Sequence, residues 1–405
     1  MIQDYGVTEG NRESGQTPLY EQRLTHYHYI DALRGIAFLC VFCLHVHFKL
    51  RPFPFQEYFI FGKYGVQLFF VISAVTLFRS FAIRAGKETH PVRNFFVRRF
   101  FRIAPLFYTG IIFYAVTIGH SYSEWRPAGL HAWQIVTSFL FVHGWTPESI
   151  EAVVPGGWSI AVEMTFYLCL PVIFKYVRNA TIALTSAAGA VLLAIGLNAV
   201  AVHFLRPITA PLNQPLIPEF VYFWFPSQLP VFLIGAAVYH LLHKSSCTEF
   251  LRLAALPLLA IGIVFWAWCV WMLLPMWIFP QVFFSVAFAL IVMGLAAHPV
   301  RLVVNAALTN LGKISFSCYV THFGALAISW RAISFLQQHS PLLQSFSVRF
   351  ASYAVFALGL TILASIISYN VIERPGIAAG NWLIGQWENR DKPRRVERPL
   401  SSQMA

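Results

Sequence analysis

The feature that most restricts this chain is a succession of unbroken apolar runs, each about 20 residues long, separated by short polar segments. Such runs do not alternate sides as the strands of a membrane β-barrel must. Backbone N–H and C=O groups in hydrocarbon have to be satisfied within their own segment, so each run predicts a helix. Only 11% of the 405 residues are charged, against about 25% in a soluble domain, and 57% are hydrophobic. The predicted fold class is therefore an all-α integral membrane protein, a bundle of about ten transmembrane helices.

The apolar windows lie near residues 31–48, 63–82, 103–119, 158–177, 180–204, 225–243, 253–272, 277–297, 309–330 and 349–371. The run 130–142 is too short to cross and reads as an interfacial or re-entrant piece. With both termini placed in the cytoplasm, all of the 29 basic residues except Lys49, Arg51, Lys63, Arg126, Arg206, Arg331 and Arg349 fall on the inner side. The net charge of +12 is then largely topological, and no basic-aromatic stripe on a soluble face suggests nucleic acid. Residues 1–28 read as a polar cytoplasmic tail without the apolar core of a signal peptide, and 29–375 as the transmembrane domain. Residues 376–405 read as a disordered basic extension beside anionic lipid. The predicted location is an inner (plasma) membrane, and nothing in the pattern reads out an oligomeric state.

Six cysteines show no framework spacing, and Cys40-x-x-Cys43 lacks a second pair. They read as small packing residues, and no metal is expected. Cys318 and His322 are i, i+4 neighbours, but two potential ligands do not make a metal site.

Ionisable groups inside lipid-spanning helices are costly, so each is a functional candidate. Arg34 and His45 are separated by three helical turns plus about 20°, which puts them on one face about 16 Å apart. Arg98, Arg99 and Arg102, at the start of the third window, are spaced i, i+3 and i, i+4, a cluster suited to bidentate grip on phosphates. Glu163 is the one acid well inside a window and needs a partner or a proton. Counting depth from the window ends puts His45, Glu163 and His322 in one outer layer. Ser73 lies in a Phe-Phe-Val-Ile-Ser-Ala segment, Trp158 begins the fourth window, and Tyr319 precedes His322 by one turn.

Taken in order, these segments resemble the membrane-bound acyltransferase-3 family, which includes O-antigen, exopolysaccharide and Nod-factor O-acetyltransferases. The likeness rests on Arg34-x10-His45, Arg98-Arg99-x-x-Arg102, Trp158-Ser159-x4-Glu163, Tyr319-x-x-His322 and Ile372-Glu373-Arg374-Pro375. Ala74 stands where the family pattern Phe-Phe-x-x-Ser-Gly has glycine. The resemblance implies transfer of an acyl group, usually acetyl, from cytoplasmic acyl-CoA to a carbohydrate hydroxyl, such as that of a surface polysaccharide or lipid-linked glycan. It implies His45 as general base, in direct attack or through a transient acyl-histidine, with Glu163 orienting it or stabilising its imidazolium and His322 placing the acceptor or polarising the carbonyl; Arg98, Arg99 and Arg102 would hold the CoA phosphates, with Arg34 lining the route of the pantetheine arm. Ser73, Trp158 and Tyr319 then fall on the substrate side. Apart from the resemblance, the proline-bearing outer segment 206–225 is a candidate for shaping acceptor access. The competing reading is a transporter or flippase of lipid-linked sugars, whose buried charges would line a substrate path. A non-catalytic membrane scaffold is a third reading, but it has little use for Glu163.

Overall fold

A computed structural model describes residues 28–50, 56–118, 124–272 and 279–391. All regular elements among them are helical. The long helices are α1 (His28–Lys49), α2 (Gly65–Ala85), α3 (Pro91–Ile118), α4 (Trp158–Tyr176), α5 (Ala180–Ile208), α6 (Phe225–His243), α7 (Ala255–Met272), α8 (Pro280–Ala297), α9 (Ser315–Gln337), α10 (Phe346–Ser368) and α11 (Arg374–Asp391). Among the described residues nine helices are long and apolar enough to cross a membrane, and the chain is a multi-pass membrane protein.

The ten windows all become helices, with three differences. The window at 309–330 is split at Ile314 into a short helix, Ala306–Lys313, and α9. Although α9 has the length of a span, it is not one of those nine; Ser315, Ser317, Tyr319 and His322 make it polar, and all four are buried against neighbouring helices. The third window extends back to Pro91, so Arg98, Arg99 and Arg102 project from the body of α3 rather than from a loop before it. Finally, the stretch after Pro375, expected to be disordered, is helical as far as Asp391. Gly376 and Gly380 let α11 lie against Phe101 and Pro105 of α3, where a Cβ on either glycine would meet those residues at 2.7–2.9 Å. The Glu388 carboxylate then accepts from the Thr89 and His90 N–H groups and from Asn94 Nδ2 (2.7 Å). The expected tails at 1–27 and 392–405 lie outside the described residues.

Run 130–142 forms a short helix, Ala132–Phe139, followed by a turn in which Phe141 takes a left-handed φ of 59°. Its ring stacks on Phe107 of α3 at 5.3 Å, holding that strained turn against the bundle.

Helix α2 forms the centre, with twelve buried residues facing α1, α6 and α8. The departure at Ala74 has a structural answer. Gly235 of α6 makes the close approach instead, since a Cβ there would sit 2.6 Å from the Val71 carbonyl and 2.7 Å from Ala74 Cβ. The same logic joins α1 to the segment leading into α9: a Cβ on Gly35 would overlap the Leu308 carbonyl, and one on Gly312 would overlap the Asp31 carbonyl. Gly189 of α5 meets nothing within 4 Å. Gly235→Ala is therefore expected to lower the apparent Tm of the detergent-solubilised protein, at a cost of about 1–3 kcal/mol. Gly189→Ala leaves it unchanged or slightly higher, and equal melting of the two variants in a thermal-shift assay contradicts this packing.

Candidate functional site

Two polar centres lie along the inner surface of the bundle. The first is at the end of α1 that carries His45. There His322 is fully buried, and its Nδ1 lies 2.8 Å from the Tyr319 carbonyl oxygen. A carbonyl only accepts, so Nδ1 of His322 carries the proton and Nε2 keeps its lone pair. His45 Nδ1 lies 3.2 Å from that Nε2 and must donate to it. This chain fixes the His45 tautomer with Nε2 unprotonated, on a ring that stays partly exposed. Phe323 packs over both imidazoles, with ring centroids 4.3 Å from His45 and 4.2 Å from His322.

The other end of this chain is anchored by Tyr319. Its hydroxyl donates to the Gly156 carbonyl (3.0 Å) and accepts from Ser159 Oγ (2.9 Å). Gly156 has a φ of +77°, and a Cβ there would stand 3.0 Å from the Tyr319 hydroxyl, so the position requires glycine twice over. Its N–H donates to the Glu151 carboxyl at 2.8 Å. Burial pushes the Glu151 pKa up to about 8, with the Gly156 N–H opposing the rise. His143 supports the same loop; its Nε2 donates to the Gly157 carbonyl (3.0 Å), and burial pulls its pKa down to about 4, so the ring is neutral.

The second centre is at the Arg34 end. Arg34 pairs with Asp31 at 3.4 Å, and its other charged neighbours are Arg102 and Glu163. Glu163 accepts from Ser73 Oγ at 2.5 Å and from the Tyr167 hydroxyl at 2.7 Å. Arg99 lies over the rings of Phe95 and Tyr167, and its Nε is buried without a hydrogen-bond partner. Among the described residues neither Arg99 nor Arg102 has a carboxylate within ion-pair distance. Glu373 is almost fully buried, accepts from Ser317 Oγ at 2.8 Å, and has Arg102 and then Arg34 as its charged neighbours. A π-helical turn, Tyr369–Glu373, brings it there.

This arrangement corrects parts of the sequence reading. Glu163 does not adjoin His45: its hydrogen bonds go to Ser73 and Tyr167, and its charged neighbours belong to the arginine centre. The neighbour that orients His45 is His322. Arg98 is not a free fork, because Glu88 takes it bidentately at 2.8 and 2.9 Å. Ser73 serves the Glu163 carboxylate, and Trp158 is buried between Phe223 (4.4 Å, stacked) and Phe70 (6.0 Å, edge-on). Sequence reasoning assigned no role to Tyr167, Glu151 or Glu88. Tyr167, at i+4 from Glu163, is the one with a readable signal.

Because Glu151 ionises near pH 8 when folded and near its ordinary 4.5 when unfolded, the folded chain holds an extra proton between those values. Stability therefore falls as pH rises through that window. The apparent Tm of the wild type should drop between pH 5 and 8.5 more steeply than that of Glu151→Gln; parallel curves contradict the assignment.

Comparison with known proteins gives the family of the chain. Over 162 residues the chain is 28% identical to the acyltransferase MdmB of Streptomyces mycarofaciens, covering 37% of this chain and 40% of the relative, so it spans well under half of that protein's length. No solved structure matches. The family model described as an acyltransferase domain matches residues 27–369, nearly all of the helical bundle and every residue of both centres except Glu373. The chain thus belongs to the acyltransferase-3 family of membrane acyltransferases.

Proposed function

We propose that this membrane acyltransferase moves an acyl group, usually acetyl, from acyl-CoA to a hydroxyl of a carbohydrate, such as a surface polysaccharide or lipid-linked glycan. It would act in an inner (plasma) membrane with both termini in the cytoplasm. The observation that carries the reading is the hydrogen-bonded sequence from the Tyr319 carbonyl through His322 to His45, which leaves His45 Nε2 as an oriented base.

The chemistry follows from that orientation. His45 Nε2 takes the proton of the acceptor hydroxyl as its oxygen attacks the thioester carbonyl carbon. The C–S bond then breaks, and the imidazolium returns the proton to the departing thiolate, giving ester and free CoA thiol. While His45 is charged, His322 Nε2 accepts from its Nδ1–H, and the Tyr319 carbonyl accepts from His322. These fixed dipoles stabilise the charge without rearranging.

Arg99 and Arg102 are the guanidiniums free to grip phosphates, and the orphaned Arg99 Nε supports that role. Arg34, about 16 Å along α1 from His45, stands on the path that the pantetheine arm would follow. Asp31, Glu163 and Glu373 offset the three guanidiniums when no donor is bound. Glu163, held by Ser73 and Tyr167, would keep its charge directed at Arg34 and Arg99.

Thiol release from acetyl-CoA by the purified full chain, with and without candidate glycans, tests the proposal. His45→Ala should lower kcat by about 10²-fold or more while the protein stays inserted and folded. Arg99→Ala and Arg102→Ala should mainly raise the KM for acetyl-CoA. A His45→Ala protein with ordinary turnover contradicts the mechanism, and glycan movement without thiol release indicates a transporter.

A further inference from the structure

The end of the bundle that carries His45 also holds a cleft of about 220 Å³ that the steps above do not use. Its walls come from the turn Trp125–Gly129, the start of the short helix Ala132–Phe139, Glu148, and the Asn213–Leu216 stretch that follows α5. Internal bonds hold these walls in place. Buried Arg126 donates to the Ala152 carbonyl at 3.1 Å. Gln134 uses both ends of its amide, accepting from the His131 N–H at 2.8 Å and donating to the Glu148 carbonyl at 2.5 Å. The cleft is thus preformed.

What it presents is specific. Trp133 is 43% exposed, and half-buried Trp125 also lines the cleft, its ring 5.9 Å from that of Phe223. Among the described residues, the side chains of Glu148 and Asn213 have no hydrogen-bond partner, and neither indole N–H has one. The volume falls below the roughly 300–1,000 Å³ of a pocket for a drug-sized ligand, so it suits a single ring. A flat apolar indole face, a carboxylate and an amide together match a pyranose: its C–H face stacks on the indole, and its hydroxyls donate to and accept from the two polar groups.

We propose that this cleft binds one pyranose ring of the acceptor, a ring other than the one acylated. The inference rests on the carbohydrate-acceptor reading given above. One loop joins the two places: Glu148 lies on it, and Gly156 near its end accepts from the Tyr319 hydroxyl, one turn before His322. The cleft would set which linkage neighbour the acceptor must carry, while His45 acts on the hydroxyl itself.

The test is saturation-transfer NMR on the full chain in detergent, using the methyl pyranosides of glucose, galactose, mannose, rhamnose and N-acetylglucosamine as probes. At least one should bind and quench tryptophan fluorescence. Trp133→Ala and Asn213→Ala should weaken that binding about tenfold or more. Trp133→Phe should restore most of it, and His45→Ala should bind as the wild type does. In turnover with a bound pyranoside's oligosaccharide, the cleft variants should raise the KM for the acceptor while kcat and the KM for acetyl-CoA stay within about twofold. Absence of binding by every pyranoside, or equal binding by wild type and cleft variants, overturns the proposal. Pyranoside binding at the cleft without any thiol release leaves the cleft standing and refutes acyl transfer; thiol release with a silent cleft does the reverse.

Discussion

The site depends on the backbone-to-backbone contact of α1 with the Ala306–Lys313 segment. Gly35 meets the Leu308 carbonyl and Gly312 meets the Asp31 carbonyl, so neither position tolerates a side chain. His45 follows Gly35 by the same number of residues as His322 follows Gly312. Both chains run on from that contact, the second after the break at Ile314, and their imidazoles meet. The 3.2 Å contact between the two rings is the outcome. Packing at a pair of glycines thus supports, ten residues away, the contact on which the proposed proton transfer depends.

The low dielectric around the bundle interior makes each remaining polar group accountable to a partner. At the His45 end the account closes through neutral donors and acceptors, from Gly156 through Tyr319 to His322 and His45. At the Arg34 end it closes through charge, with Asp31, Glu163 and Glu373 set among Arg34, Arg99 and Arg102. Only Asp31 and Arg34 among these come within ion-pair distance. The centre is balanced yet loosely paired, a state from which an anion can recruit guanidiniums without breaking a tight salt bridge.

Much of this was legible in the sequence, and the reasons differ from residue to residue. Apolar run length gave the spans because lipid leaves a helix no alternative. The shared face of Arg34 and His45 followed from helical period alone. Depth counting brought His322 to the right level but put Glu163 too far out, in the layer of His45 instead of at the Arg34 end. Glu163 was therefore assigned to His45 when its partners are Ser73 and Tyr167. The Arg98 pairing was hidden because Glu88 sits across a turn whose path the sequence does not reveal. The helix α11 was masked by its basic, proline-bearing continuation, although Gly376 and Gly380, at i, i+4, carried a packing signal. The clefted loops had no periodic pattern to read.

In the proposed reaction His45 Nε2 faces a thioester whose CoA phosphates are held at the far end of α1. A cryo-EM structure of the full chain with a non-hydrolysable acetyl-CoA analogue tests this most directly. Phosphate density is expected against Arg99 and Arg102 and the acyl carbonyl beside His45 Nε2, with the arm passing Arg34. Phosphates held elsewhere, or an acyl group separated from His45 by packed side chains, would contradict it.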